Sequence, residues 1–107
     1  MRDLVSDEDL ERTIERAPFA LVQFGSDGCA PCHAIRAKID AWHPAHPEVD
    51  ALYVDIDRYP RVSAQHGVLG VPTIFLYIDG RRHLEARGYF SLEELFAKTE
   101  RYLSLRS

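Results

Sequence analysis

A chain of 107 residues, 46% apolar and 28% charged, has the size and make-up of one globular domain with a single hydrophobic core, and residues 1–107 are expected to fold as one unit. A net charge of −4 provides no basic footprint for nucleic acid or an anionic membrane, and no apolar run reaches the roughly 18–20 residues that span a bilayer. The opening MRDLVSDEDLER is too acidic and polar for a secretory leader, so the expected location is the cytoplasm.

Ser6 followed by Asp9 predicts a capped helix over about 7–17, with Leu10 and Ile14 on one face and Pro18 ending it. Phe19 to Phe24 (FALVQF) is almost wholly apolar and suits a strand covered on both faces. After the turn GSDG, Pro31 suits the first turn of a helix that carries Cys32, Ile35, Ile39 and Trp42 inward and ends near His43, ahead of Pro44. Ala51 to Ile56 predicts a second strand, followed by a short helix over about 60–66. Thr73 to Ile78 predicts a third strand, and Asp79-Gly80 a hairpin into a fourth over about 81–87. Ser91 with Glu94 opens a last helix with Leu92, Leu95, Phe96, Thr99 and Leu103 inward. The order αβαβαββα implies an α/β sandwich around a mixed central sheet. Trp42, Phe24, Phe75, Tyr77 and Phe96 are assigned to the core.

The two cysteines, Cys29 and Cys32, lie in the stretch DGCAPCHAI. A bridge between them closes too short a loop to restrain the unfolded chain much, so structural stapling explains the pair poorly. At a helix N-terminus, unpaired N–H groups and about half a positive charge stabilise a thiolate and lower its pKa. Cys29, at the exposed start of the helix, is then the attacking sulfur, and Cys32, on the inward stripe, the resolving one. Zinc needs about four ligands and the pair supplies two. An iron–sulfur cluster shared between subunits would need an outside thiol. The histidines at 33, 43, 46, 66 and 83 read as solvated surface groups, so no metal and no cofactor is expected.

With these motifs in place the chain strongly resembles the thioredoxin family over nearly its whole length. FALVQF-GSDG-CAPC resembles the family's core strand and active-site loop, LYVDIDRYPRVSAQHGVLGVPT its next strand, short helix and cis-proline loop, and FLYIDGRRHLEARGYFSLEEL its hairpin and last helix. The resemblance implies the thioredoxin fold, a three-layer α/β/α sandwich with a mixed central sheet. It implies a thiol–disulfide oxidoreductase that reduces protein disulfides through a reversible Cys29–Cys32 dithiol/disulfide. Cys29 becomes the nucleophile, Cys32 the resolving thiol and Pro72 a cis-proline facing them. Val71 offers backbone to an extended client segment, and Gly28 and Gly88 line the same surface. Ala30 and Pro31 between the cysteines tune the potential. The implied partners are disulfide-containing client proteins and a thioredoxin reductase-type electron donor, with no nucleic acid and no membrane, and the implied state is a monomer.

The chain departs from the family pattern at Gly28 in place of tryptophan, Ala30 of glycine, Gln23 of a buried carboxylate, Tyr53 of lysine and Ala37 of proline. Gln23 holds the proton-transfer position, yet an amide cannot titrate, leaving Cys32 to lose its proton through water, to the departing thiolate or to a group such as Asp27. Without that carboxylate and tryptophan, a docking module of slow or no turnover is the competing reading.

Overall fold

The central strand carries the run 19–24, and its burial on both faces sets the layers. The computed structural model describes residues 1–106. In chain order the elements are β1 (Arg2–Asp3), α1 (Asp7–Arg16), β2 (Phe19–Gly25), α2 (Ala30–Trp42), a 3-10 turn (His43–Ala45), β3 (Val49–Asp55), α3 (Pro60–Gln65), β4 (Thr73–Ile78), β5 (Arg81–Arg87) and α4 (Leu92–Arg106). The sheet order is β1-β3-β2-β4-β5, with β2 parallel to β3 and antiparallel to β4.

Alternation along β2 divides the core. Ala20, Val22 and Phe24 face α1 and α3, meeting Leu10, Ile14, Leu52, Val54 and Phe75. Phe19 and Leu21 face α2 and α4, meeting Ile39, Ile74, Leu76, Leu92 and Leu95. The same alternation turns Gln23 toward α2. The result is the expected three-layer sandwich. β5 is an edge strand bearing Arg81, Arg82, His83, Glu85 and Arg87, charges that discourage pairing with another chain.

Local signals account for most boundaries. The Ser6 hydroxyl caps α1 by accepting from the Asp9 N–H at 3.2 Å, and the Ser91 hydroxyl accepts from Glu94 N–H at 3.1 Å. Asp79 and Gly80 take the positive φ values, 51° and 83°, that a two-residue hairpin turn requires.

Several expectations need correction. β1 is unforeseen, because two residues carry no periodicity. Arg2 anchors it beside β3, donating from Nη1 to Asp9 Oδ2 at 3.0 Å and from Nη2 to the Thr13 hydroxyl at 2.6 Å. β3 begins at Val49, not Ala51, since Val49 and Asp50 still pair with Phe19 and Ala20. Trp42 and Phe96 are half-buried and not core: the indole stacks on Phe96 at 4.8 Å and on His46 at 4.2 Å, and its N–H donates to Glu100 at 2.9 Å. Three histidines are ties within the fold instead of solvated groups. His43 donates to the Val49 carbonyl at 2.6 Å, His46 stacks on Trp42, and His66 meets Glu11 at 2.7 Å and the Tyr77 hydroxyl at 3.4 Å.

The Arg2–Asp9 contact makes a pH-dependent contribution. Burial pushes the Asp9 carboxyl up, but hydrogen bonds from Arg2 and from the Val5 N–H outweigh it, leaving the pKa below the usual 3.8. A carboxyl lowered in the folded state stabilises above its unfolded pKa, and that contribution is lost as pH falls through the folded value. Asp9→Asn is therefore expected to lower stability by about 1–2 kcal/mol at neutral pH. Urea unfolding should show the gap to wild type closing as pH drops below the usual carboxylate range.

Candidate active site

β2 delivers the chain to the site and stops at Gly25, after which Ser26 to Gly28 turn it into α2. Cys29 is the N-cap of α2, in extended backbone, so the helix begins at Ala30 with Pro31 in its first turn. Cys29 and Cys32 are joined by a disulfide, their Cα atoms 5.3 Å apart. Sγ of Cys29 accepts from the Cys32 N–H at 3.2 Å, and the Cys29 carbonyl accepts from the same N–H at 3.1 Å. The Cys32 N–H in the first turn of α2 thus points at the Cys29 sulfur, where the helix terminus stabilises a thiolate's charge. Cys29 is half-buried, whereas Cys32 is 0% exposed.

Gln23 lies beneath the pair, fully buried. Its Nε2 donates to the Cys32 carbonyl at 2.8 Å, while Oε1 is the one buried side-chain polar atom without a hydrogen-bond partner among the described residues. An amide here braces the first turn of α2 but cannot take a proton.

The other expected residues gather around the cysteines. The Val71–Pro72 peptide bond is cis. Gly88, at φ 64°, donates its N–H to the Pro72 carbonyl at 3.0 Å, tying the two loops together. A groove of about 410 Å³ runs between Pro31, Ile35 and Lys38 of α2 and the loops holding Val71, Pro72 and Gly88. A larger hollow of about 490 Å³, at Pro18, Phe19 and Leu103, is remote from the disulfide. Gly28 is exposed with open space where a side chain would stand, so nothing in the fold demands glycine there.

Asp27, considered as a proton acceptor for Cys32, lines a polar cleft of about 230 Å³ with Tyr53, Arg36, Asp55 and Arg58. Its carbonyl accepts from His33 Nε2 at 2.8 Å, which turns His33 onto the active-site loop. Among the described residues no three of His, Cys, Asp and Glu converge to hold a metal.

Two residues beside the site were not anticipated from the chain. Leu69 and Tyr89 are 94% and 107% exposed, large apolar side chains beside the groove-forming loops. Their surroundings in sequence offer no periodicity to mark them. Tyr53 reaches the site from β3, through a space that Gly25 leaves open.

A disulfide-bonded Cys-x-x-C pair at the head of α2, next to a groove lined by a cis-proline, in a mixed-sheet sandwich, defines a thiol–disulfide oxidoreductase. Comparison places it further. The thioredoxin family model matches residues 3–101, and the chain belongs to the thioredoxin family. It is 33% identical over 88 residues to thioredoxin-2 of Pyricularia oryzae, covering 82% of this chain but only 52% of that protein, so the chain spans about half of that relative. Against the thioredoxin of Chlamydia muridarum it is 32% identical over 101 residues, covering 92% of this chain and 98% of the relative. The crystal structure of Fasciola hepatica thioredoxin superposes with a TM-score of 0.81 at 28% identity, covering 94% of this chain and 98% of that one.

Gln23→Asp tests the neutral amide. A buried aspartate without a charged partner has a raised pKa. The lost bond from Gln23 Nε2 to the Cys32 carbonyl costs stability at every pH, and with the folded pKa above the unfolded one ionisation adds a cost that is absent at low pH and grows as pH rises between the two. Resolution of mixed disulfides should accelerate by about tenfold or more above the folded pKa, a part of the roughly 10²–10⁴-fold open to a positioned base. Stopped-flow release against pH, paired with urea unfolding, reads both; release unchanged at every pH would remove position 23 from the resolving step.

Proposed function

We propose that the chain, acting as one thioredoxin-like domain, reduces protein disulfides through a reversible Cys29–Cys32 pair. The observation that carries this reading is the asymmetry of the two sulfurs: Cys29 caps α2 at the surface, and Cys32 is enclosed one turn on.

The Cys29 thiolate attacks one sulfur of a client disulfide. The client S–S bond breaks, its other sulfur leaves as a thiolate, and a mixed disulfide joins Cys29 to the client. Cys32 then loses its proton and attacks Sγ of Cys29, forming the intramolecular disulfide and releasing the second client thiolate. Two electrons have passed from the chain to the client, and a thioredoxin reductase-type donor returns the pair to the dithiol. An extended client segment lies along the groove, meeting the Val71 backbone, Pro72, Gly88 and the open space at Gly28, while Ala30 and Pro31 set the potential. Among the described residues no helix is long and apolar enough to cross a membrane. A monomer working in the cytoplasm, with no bound cofactor, completes the reading.

The neutral Gln23 favours one alternative, a docking module whose mixed disulfide resolves slowly or never. Trapping separates the two. Cys32→Ser should accumulate covalent complexes with clients that wild type releases within the assay, and Cys29→Ser should form none. If wild type and Cys32→Ser retain clients equally, the docking module is the correct reading.

Accessibility makes a further distinction. In the reduced protein, iodoacetamide at neutral pH should modify Cys29 first, as the more accessible sulfur and the one at the helix terminus. Peptide mapping that found Cys32 labelled ahead of Cys29 would reverse the assigned roles.

A further inference from the structure

Cys32 must pass through a thiolate while enclosed in protein, and the groups able to stabilise that charge are few. Its own N–H points at Cys29 Sγ. Gln23 Nε2 is engaged with the Cys32 carbonyl. The Tyr53 hydroxyl is a third candidate. A methyl group placed on Gly25 would collide with the Tyr53 hydroxyl, and its carbon would lie 2.8 Å from Cζ of Tyr53 and 3.0 Å from Cβ of Cys32. The phenol oxygen and Cys32 Cβ therefore both lie close to the space that the missing side chain at position 25 leaves free.

The phenol is also held in place. β3 pairs Tyr53 with Gln23 in register, and the side chain is almost wholly buried. The Arg36 guanidinium lies 4.5 Å from the ring centroid and donates to Asp3 at 2.7 Å, closing the outer side.

We propose that the Tyr53 hydroxyl donates a hydrogen bond to the Cys32 thiolate during resolution of the mixed disulfide, providing the stabilisation that a neutral Gln23 cannot. The inference rests on Cys32 being the resolving sulfur. As the step proceeds, the Cys32 S–H bond breaks and its proton passes to solvent by way of the polar cleft. The sulfur's electron pair forms the bond to Cys29, the Cys29–client bond breaks, and the client leaves with that pair as a thiolate. Tyr53 keeps its own proton throughout. Burial pushes its pKa up, Arg36 opposes, and Asp55, Asp27 and Asp3 add to the rise, so at neutral pH it is a donor and not a base. The charged and titratable groups around this pair are Asp27 from the turn, His33 and Arg36 from α2, Asp55 from β3, Asp3 from β1, and Arg58 beyond β3. Three of these are carboxylates, which oppose a thiolate, and two are guanidinium groups, which favour it.

Tyr53→Phe keeps the ring, its volume and the Arg36 contact, and removes only the hydroxyl. Reduced protein mixed with 5,5′-dithiobis(2-nitrobenzoate) should release thionitrobenzoate in two phases. The first depends on reagent concentration and reports attack by Cys29; the second is concentration-independent and reports Cys32. In Tyr53→Phe the first phase should be unchanged and the second slower by about tenfold, the loss expected of one hydrogen bond to a charged group. The pH midpoint of the second phase should rise by about one unit, the same loss expressed as a pKa. A purely structural tyrosine would move the urea midpoint and leave the second phase at its wild-type rate and pH profile, and that result would overturn the proposal. A wild-type protein that showed no second phase would overturn the underlying dithiol reading itself.

Discussion

Everything at the active site depends on β2 being buried on both faces. A central strand must alternate its side chains between two apolar layers, so placing Val22 and Phe24 under α1 and α3 commits Gln23 to the layer beneath α2. The strand then has to end where the backbone can pass close under the helix, and it ends in Gly25. Side-chain packing along one strand thus decides which groups Cys32 meets. A slip of one residue in register would bring a neighbour of Gln23 under the helix and move Tyr53, its partner on β3, with it.

This arrangement divides the electrostatic tasks between the two sulfurs. Cys29 sits at the N-terminus of α2, and the Cys32 N–H already points at its sulfur in the oxidised pair. Preorganised donors cost little reorganisation when charge appears. Cys32, one turn further on, is 0% exposed. Its environment consists of a neutral amide, a glycine and a phenol, so its thiolate is the costlier species and its deprotonation the more sensitive step.

What could be read from the chain follows the range of the interactions involved. The cap at Ser6, the hairpin at Asp79-Gly80 and the strand Phe19 to Phe24 are local in origin, and each is found where its residues foretell it. Cys29 and Cys32 were legible for the same reason, since spacing and a neighbouring helix start suffice. β1 was not legible, because two residues become a strand only through Arg2 reaching Asp9, Thr13 and Asp50. Nor was the role of Gly25, which resembles any strand-ending glycine until Tyr53, 28 positions on in the numbering, fills the space above it. The exposure of Leu69 and Tyr89 was hidden likewise, because loop residues carry no period from which a face can be deduced.

The same division bears on how strongly reducing the pair is. Every interaction that favours the Cys29 thiolate favours the dithiol over the disulfide, and so weakens the chain as a reductant. A burial that penalises the Cys32 thiolate does not oppose this at neutral pH, because Cys32 waits as a neutral thiol and ionises only in passing. Cys29's surroundings therefore govern the potential, whereas those of Cys32 govern the rate of release. On the proposed reading, Ala30 and Pro31, in the first turn of α2 next to Cys29, would act on the first property, and Gln23, Gly25 and Tyr53, close to Cys32, on the second. Substitutions under the helix can then alter how long a client is held without altering which way the electrons flow.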